Sequence, residues 1–192
     1  MNEIEVKVLN IDSESIKRKL NKLNAKLVKR EFQINYIFDF ENNLFFEKGG
    51  YVRIRKAHDF LKDAEKVTLT SKELVSKDKF KISKEIEFNS DSFDSSKDFL
   101  LSLGLKLKRT DEKYRESYEL ENGLIEIDTW AGVPTYLEVE AETEENVINI
   151  LSKLDYKLEE STSMTLAEIM KHYNIKDDNR TFSIKEKEQM GL

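Results

Sequence analysis

Cysteine is absent from the chain, which excludes disulfides, zinc–thiolate sites and thiol nucleophiles. Histidine is nearly absent. His58 and His172 stand too far apart to suggest an imidazole metal site or a catalytic triad, and surface roles suit both. No apolar run approaches the roughly 20 residues needed to cross a bilayer. The N-terminus opens directly on a charged segment, so no signal peptide is expected. A basic surplus is also missing. Against 32 Lys and Arg stand 38 Asp and Glu, a net charge of −6, whereas nucleic-acid-binding domains usually carry an excess of Lys and Arg. These absences predict a cytoplasmic protein with neither a nucleic-acid nor a membrane partner.

Charge, by contrast, is abundant and ordered. Of the 192 residues 36% are charged, while 39% are apolar and include 11 Phe and 7 Tyr, enough for one core. No composition shift marks a linker, so residues 1–175 read as one domain. Residues 176–192 are charged and aperiodic and read as a frayed, flexible tail.

The opening stretch Glu3-Ile4-Glu5-Val6-Lys7 alternates with period two, as a strand does, and puts Glu3, Glu5 and Lys7 on one face. Two carboxylates at i and i+2 lie roughly 7 Å apart. At an effective dielectric near 20 they repel by about 2.4 kcal/mol, against about 0.6 in water. A solvated face tolerates that pair; an enclosed one needs a cation.

Further along, Asp12-Ser13 offers a cap for a helix bearing Ile16, Leu20 and Leu23. Residues 31–40 read as an aromatic-rich strand, and Arg53 and Arg55 share one face of the next. Lys66 to Lys72 alternates again. Residues 73–83 carry no apolar period and are expected to form a mobile loop, able to cover a tunnel mouth. The opening pattern then returns as Glu85-Ile86-Glu87. A helix through Phe99, Leu100 and Leu103 follows, then strands at 107–120, 123–129 and 136–141, the first two joined at Asn122-Gly123. Two more helices carry Val147 to Leu154 and Leu166 to Tyr173. Trp130, near Gly132 and Pro134, reads as a packing residue in a turn, with a ligand-facing role left open.

Both halves thus read strand, helix, three strands, each opening on Glu-x-Glu. The expected fold is α+β: an eight-stranded antiparallel β-barrel with pseudo-twofold halves, flanking helices and a polar interior. Its polar faces collect like charges two residues apart: Lys113 and Arg115, Glu126 and Asp128, Glu138 and Glu140. Carboxylate clusters beside Arg and Lys clusters suit Mg²⁺ or Mn²⁺ together with a polyphosphate. Any one-sided antiparallel sheet shows water a similar alternation, so patterning alone leaves both readings open.

The opening segment resembles the ExExK signature of the CYTH superfamily, the triphosphate tunnel metalloenzymes. That family includes class IV adenylyl cyclases, thiamine triphosphatases and inorganic triphosphatases. Val52-Arg53-Ile54-Arg55, Thr70-Ser71-Lys72, Glu85-Ile86-Glu87, Lys113-Tyr114-Arg115, Asp128 and Glu138-Val139-Glu140 continue the resemblance in order. It implies a tunnel in which Glu3, Glu5, Glu85, Glu87, Asp128, Glu138 and Glu140 hold Mg²⁺ or Mn²⁺. It also implies that Lys7, Arg53, Arg55, Lys72, Lys113 and Arg115 grip the triphosphate, with Lys7, Lys72 and Arg115 acting in catalysis. The reaction implied is class IV cyclisation of ATP to cyclic AMP and pyrophosphate. Hydrolysis of inorganic, thiamine or nucleoside triphosphate is the alternative, and a non-catalytic nucleotide or polyphosphate module the lesser one. The small-molecule partner is ATP or tripolyphosphate, with a homodimer left open. Ser163-Met164-Thr165 departs from the family's Ser-Tyr pair, so a tyrosine contact there is not carried over. In a cluster of like charges, removing one carboxylate is expected to leave stability unchanged or raise it.

Overall fold

The computed structural model describes residues 2–176 and 178–191, with side chains described from Ile4 onward. Eight antiparallel strands close into one barrel: β1 (Asn2–Val8), β2 (Lys26–Asp39), β3 (Tyr51–Asp59), β4 (Ala64–Lys77), β5 (Lys81–Ser90), β6 (Lys106–Leu120), β7 (Gly123–Trp130) and β8 (Tyr136–Ala141). The helices are α1 (Ser13–Lys22), α2 (Phe93–Ser102), α3 (Glu144–Lys153), α4 (Leu166–His172) and α5 (Ile184–Met190). Around the barrel the order is β1-β5-β4-β3-β2-β6-β7-β8, with β8 pairing back to β1. Exchanging β1 with β5, β2 with β6, β3 with β7 and β4 with β8 returns the same set of neighbours. The expected pseudo-twofold is therefore present in the strand pairing itself.

The barrel is apolar outside and charged inside. On β1, Val6 and Val8 point outward against Ile16 and Leu20 of α1 and Ile150 and Leu151 of α3. Asp12 caps α1, its carboxylate accepting from the backbone N–H groups of Glu14 and Ser15. Val6, Leu20, Leu137 and Val139 lose all contact with water. Burying an aliphatic side chain of this size contributes about 1.5–3 kcal/mol. A second cluster packs Leu100 of α2 on Phe38, Ile54 and Leu69. A third packs Ile169 and Met170 of α4 on Val133 and Tyr136. Gly123 opens β7 tight against α3, where a Cβ would stand 2.2 Å from the Ile150 Cδ1.

Two segments differ from expectation. Residues 73–83 are not a loop: β4 runs through Lys77, β5 starts at Lys81, and only a short turn joins them. Alternation continues through the charged residues, because Lys81 and Ser83 turn inward and are buried while Phe80 joins the core. The tip is held to the segment before and within α4, where Ser163 Oγ donates to the Asp78 carbonyl at 2.6 Å and Lys77 pairs with Glu168.

The described part of the C-terminal segment is also docked rather than frayed. β6 outruns β7 and leaves an edge open near residues 110–112. Arg180 fills it, its N–H donating to the Thr110 carbonyl at 3.0 Å while the Glu112 N–H donates to the Arg180 carbonyl at 2.8 Å. Phe182 is buried beyond it, α5 follows, and Lys187 Nζ lies 2.8 Å from Glu112 Oε1. An unpaired strand edge beside acidic side chains gives a basic segment its anchor.

Candidate active site

Strand alternation turns the charged residues into a central cavity of about 780 Å³. Register then sets who meets whom. Glu5 lies opposite Glu140 and Lys7 opposite Glu138, while Glu138 also faces Glu126 on β7. Arg115 lies opposite Asp128, Arg53 opposite Thr70, and Lys72 opposite Glu85. At one rim Gly50 is pressed to β4, where a Cβ would come within 2.2 Å of the Lys72 carbonyl oxygen. Thr165, Leu166 and Ala167 line the cavity from the start of α4.

The lining charges are segregated. On the contiguous strands β5-β1-β8-β7 lie Glu85, Glu87, Glu5, Glu138, Glu140, Glu126 and Asp128. On β4-β3-β2-β6 lie Lys72, Arg53, Arg55, Lys29, Arg109, Lys113 and Arg115. Lys7 and Lys81 are the bases set into the acidic wall, and Asp111 is the acid set into the basic one. The tunnel is polarised across its width.

At the centre Lys7 Nζ lies 2.5 Å from Glu5 and 2.8 Å from Glu138. Burial and the neighbouring Glu138 push the Glu5 carboxyl up, but Lys7, Lys81 and Lys72 outweigh them and hold it at about 2. Burial opposes the charge on Lys7, and Glu138 and Glu5 still raise it above an ordinary lysine. Glu138 is held well below the usual carboxylate range: burial works against that, and Lys7 and Arg115 prevail. Arg115 makes a fork with Asp128, both N···O distances 2.5 Å, pairs with Glu126 and reaches Glu138 at 3.4 Å. This geometry corrects the expected stability effect. Glu138 is paired rather than crowded by like charge alone, so removing it strips partners from two buried cations.

The basic wall is less compensated. Arg55 Nε donates to Asn35 Oδ1 at 2.9 Å, and burial with Arg53 and Arg115 lowers it to about 10. Lys113 is 1% exposed, 3.2 Å from Asp128 and 4.7 Å from the centre of the Trp130 ring. Burial, then Arg115, lowers it to about 7 although Asp128 favours the charge. Burial and like-charged neighbours thus disfavour the charge on Arg55 and Lys113, and a multivalent anion beside them would favour it.

For a metal the donor set fits in chemistry. Glu5, Glu138, Glu140 and Glu126 offer only hard carboxylate oxygens from three adjacent strands, as Mg²⁺ and Mn²⁺ prefer. Among the described residues no three such groups converge tightly enough to hold an ion with the side chains as they stand. Lys7, between Glu5 and Glu138, is one visible reason.

The cavity gathers Lys7, Arg53, Arg55, Lys72, Lys113 and Arg115, together with Glu5, Glu85, Glu87, Asp128, Glu138 and Glu140. The Glu3 side chain lies outside the described residues. Lys66 is exposed, away from the cavity. Trp130 is not confined to a turn: it ends β7, lines the cavity and donates from Nε1 to the Tyr136 hydroxyl at 2.8 Å. Sequence reasoning missed Lys81, whose Nζ is 2.8 Å from Glu5 Oε1, and Asn35, Arg109, Asp111 and Tyr136. Lys81 had a signal, since it shares parity with Glu85 and Glu87. Asn35, Arg109 and Asp111 had none that patterning separates from a solvated strand.

A closed antiparallel barrel with opposed acidic and basic inner walls defines a charge-lined tunnel protein. The chain belongs to the CYTH family, whose domain model matches residues 1–169. Members of that family act on triphosphates with divalent metal ions. A Methanocaldococcus jannaschii protein named provisionally as an adenylate cyclase is 30% identical over 181 residues, 93% of each chain. The fold is shared with a Pyrococcus horikoshii protein at 24% identity and TM-score 0.73, over 87% of this chain and 98% of that one. It is also shared with a Hippeastrum protein at 17% identity and TM-score 0.59, over 98% and 96%. That structure is described as a provisional adenylyl cyclase with a dominant triphosphatase activity.

Proposed function

We propose that this chain is a Mg²⁺- or Mn²⁺-dependent enzyme of the cytoplasm that cyclises ATP to cyclic AMP and pyrophosphate. The observation that carries the reading is the segregation of lining charge into facing acidic and basic walls. A metal-bound triphosphate has one face for each: cation toward carboxylates, phosphate oxygens toward guanidinium and ammonium groups. When bound, the metal would supply charge neutralisation at the reacting phosphorus, held by Glu5, Glu138 and Glu140 with Glu85, Glu87 and Asp128 near them. Arg53, Arg55, Lys113 and Arg115 bind and straighten the phosphate chain. Lys7, Lys72 and Arg115 meet charge that grows on the bridging and leaving oxygens, where fixed cations in a low-dielectric site act most strongly. The ribose 3′-oxygen bonds to the α-phosphorus, the bond to pyrophosphate breaks, and the hydroxyl proton is released. The relative from Methanocaldococcus jannaschii supports cyclisation by its name.

Hydrolysis of a triphosphate is the second reading, favoured by the dominant triphosphatase activity ascribed to the Hippeastrum protein of the same fold. Purified protein with Mg²⁺ or Mn²⁺ and either ATP or tripolyphosphate separates the two. Cyclic AMP with equimolar pyrophosphate establishes cyclisation, inorganic phosphate establishes hydrolysis, and inertness toward both substrates removes cyclisation of ATP and hydrolysis of ATP or tripolyphosphate.

A further inference from the structure

Tyr136, the first residue of β8, lines the tunnel with 2% of its surface exposed. Alternation puts it on the inner face with Glu138, and register sets it opposite Asp128. Its ring packs with Val133 and with Ile169 and Met170 of α4. Its oxygen accepts a hydrogen bond from Trp130 Nε1 at 2.8 Å. An indole N–H only donates, so this bond uses an acceptor site of the phenol and leaves the phenol O–H to find a partner elsewhere. Among the described residues nothing accepts from it. The neighbouring carboxylates are engaged by cations: Asp128 by Arg115 and Lys113, Glu138 by Lys7 and Arg115. A buried donor without an acceptor is costly, and a folded protein keeps one where a ligand or a water completes it.

Resting on the triphosphate reading, we infer that Tyr136 is a substrate-binding residue whose hydroxyl donates to a non-bridging phosphate oxygen. Lys7 and Arg115, two of the cations proposed to meet the phosphates, lie within electrostatic reach of the phenol. An anionic oxygen strengthens the hydrogen bond it receives, and a neutral donor directs that bond without adding charge to the wall. The donor is also held in place before substrate arrives. Residues of α4 pack on its ring, Trp130 fixes its oxygen, and Trp130 itself lies under the Lys113 ammonium, 4.7 Å from the ring centre.

A purely structural tyrosine would use its oxygen only to satisfy the indole N–H. Tyr136→Phe keeps the ring and removes the hydroxyl, but it also orphans that N–H. Trp130→Phe removes the N–H and keeps an aromatic ring beside Lys113, so the pair of substitutions separates a missing donor from an orphaned indole. The experiment is calorimetric binding of tripolyphosphate to the full chain with Mg²⁺, with thermal melts to monitor folding. Tyr136→Phe is expected to bind about ten- to a hundredfold more weakly than wild type, the range for a hydrogen bond to a charged acceptor. Tyr136→Phe/Trp130→Phe is expected to bind more weakly than Trp130→Phe by the same factor. Wild-type affinity in the folded Tyr136→Phe variant, or equal affinity of the double variant and Trp130→Phe, overturns the inference while leaving the triphosphate reading intact. No binding by wild type takes down both.

Discussion

Lys7 and Glu138 face each other across the β1–β8 ladder with Nζ 2.8 Å from Oε2, and the same ammonium touches Glu5 on its other side. One lysine thus stands among the carboxylates proposed to hold a cation. It neutralises both carboxylates where they stand, and on the proposed metal role it would compete with the cation for them. Breaking a buried pair by removing one partner costs about 3–5 kcal/mol. Lys7→Ala should therefore lower the melting temperature without metal, and Mn²⁺ should raise it by more than it raises wild type. Scanning calorimetry with and without Mn²⁺ checks this without reference to activity; an equal shift in both proteins rejects Lys7 as a competitor.

Lys113 gives the tunnel a pH dependence. Burial, then Arg115, lowers its ammonium to about 7, against 10.5 for an ordinary lysine. A polyphosphate beside it favours the charged form, so binding takes up a proton where the free side chain is neutral. Affinity for tripolyphosphate should fall as pH rises from 7 to 9, and Lys113→Met should flatten that slope. Folding responds with the opposite sign. Between the folded and unfolded values the unfolded chain binds the extra proton, so this residue's contribution to stability rises from pH 7 toward 10.5. Binding enthalpies in buffers of different ionisation heat measure the uptake; buffer-independent heats at pH 8 would refute it.

Glu138 and Glu140 share β8 but not surroundings. Glu138 is 8% exposed and paired with Lys7 and Arg115, whereas Glu140 is partly exposed opposite Glu5. Glu138→Gln should raise the metal needed for half-maximal turnover and also destabilise the fold by about 3 kcal/mol. Glu140→Gln should raise the metal requirement with a smaller effect on the fold. Metal titrations of turnover beside urea melts separate the two. Wild-type metal dependence in both variants would sink the ligand assignment.

Legibility followed period two. Each Glu-x-Glu and Arg-x-Arg segment announced a strand and an inward face, and the doubled order of strands and helix announced the barrel. The turn at 78–80 was hidden because Lys77, Lys79 and Lys81 look alike in sequence, and only the partner of each distinguishes them. Glu126 reads as a surface charge until Arg115 is placed beside it. The docked C-terminal segment left no periodic trace. Its anchors include Arg180, Phe182 and Lys187, and what they bind is an open edge created by unequal lengths of β6 and β7. Such an edge belongs to the assembled barrel, so no local stretch encodes it.

The β4–β5 tip carries the last expectation. Glu168 does two jobs at the start of α4: Oε2 accepts from the Thr165 N–H at 2.8 Å, closing a capping box, and Oε1 pairs with Lys77. These hydrogen bonds hold its carboxyl below the usual range against the upward pull of burial. A cap of this kind contributes about 0.5–2 kcal/mol, enough to decide whether a seven-residue helix stays folded over the tunnel. Glu168→Ala should thus release both the tip and the first turn of α4, while Ser163 alone keeps its bond to Asp78. Trypsin should cut the variant at Lys77 or Lys79 several-fold faster than wild type, whose tip resists with or without metal and tripolyphosphate. Fast cleavage of wild type, slowed by those ligands, would restore a mobile lid and reject the anchored hairpin.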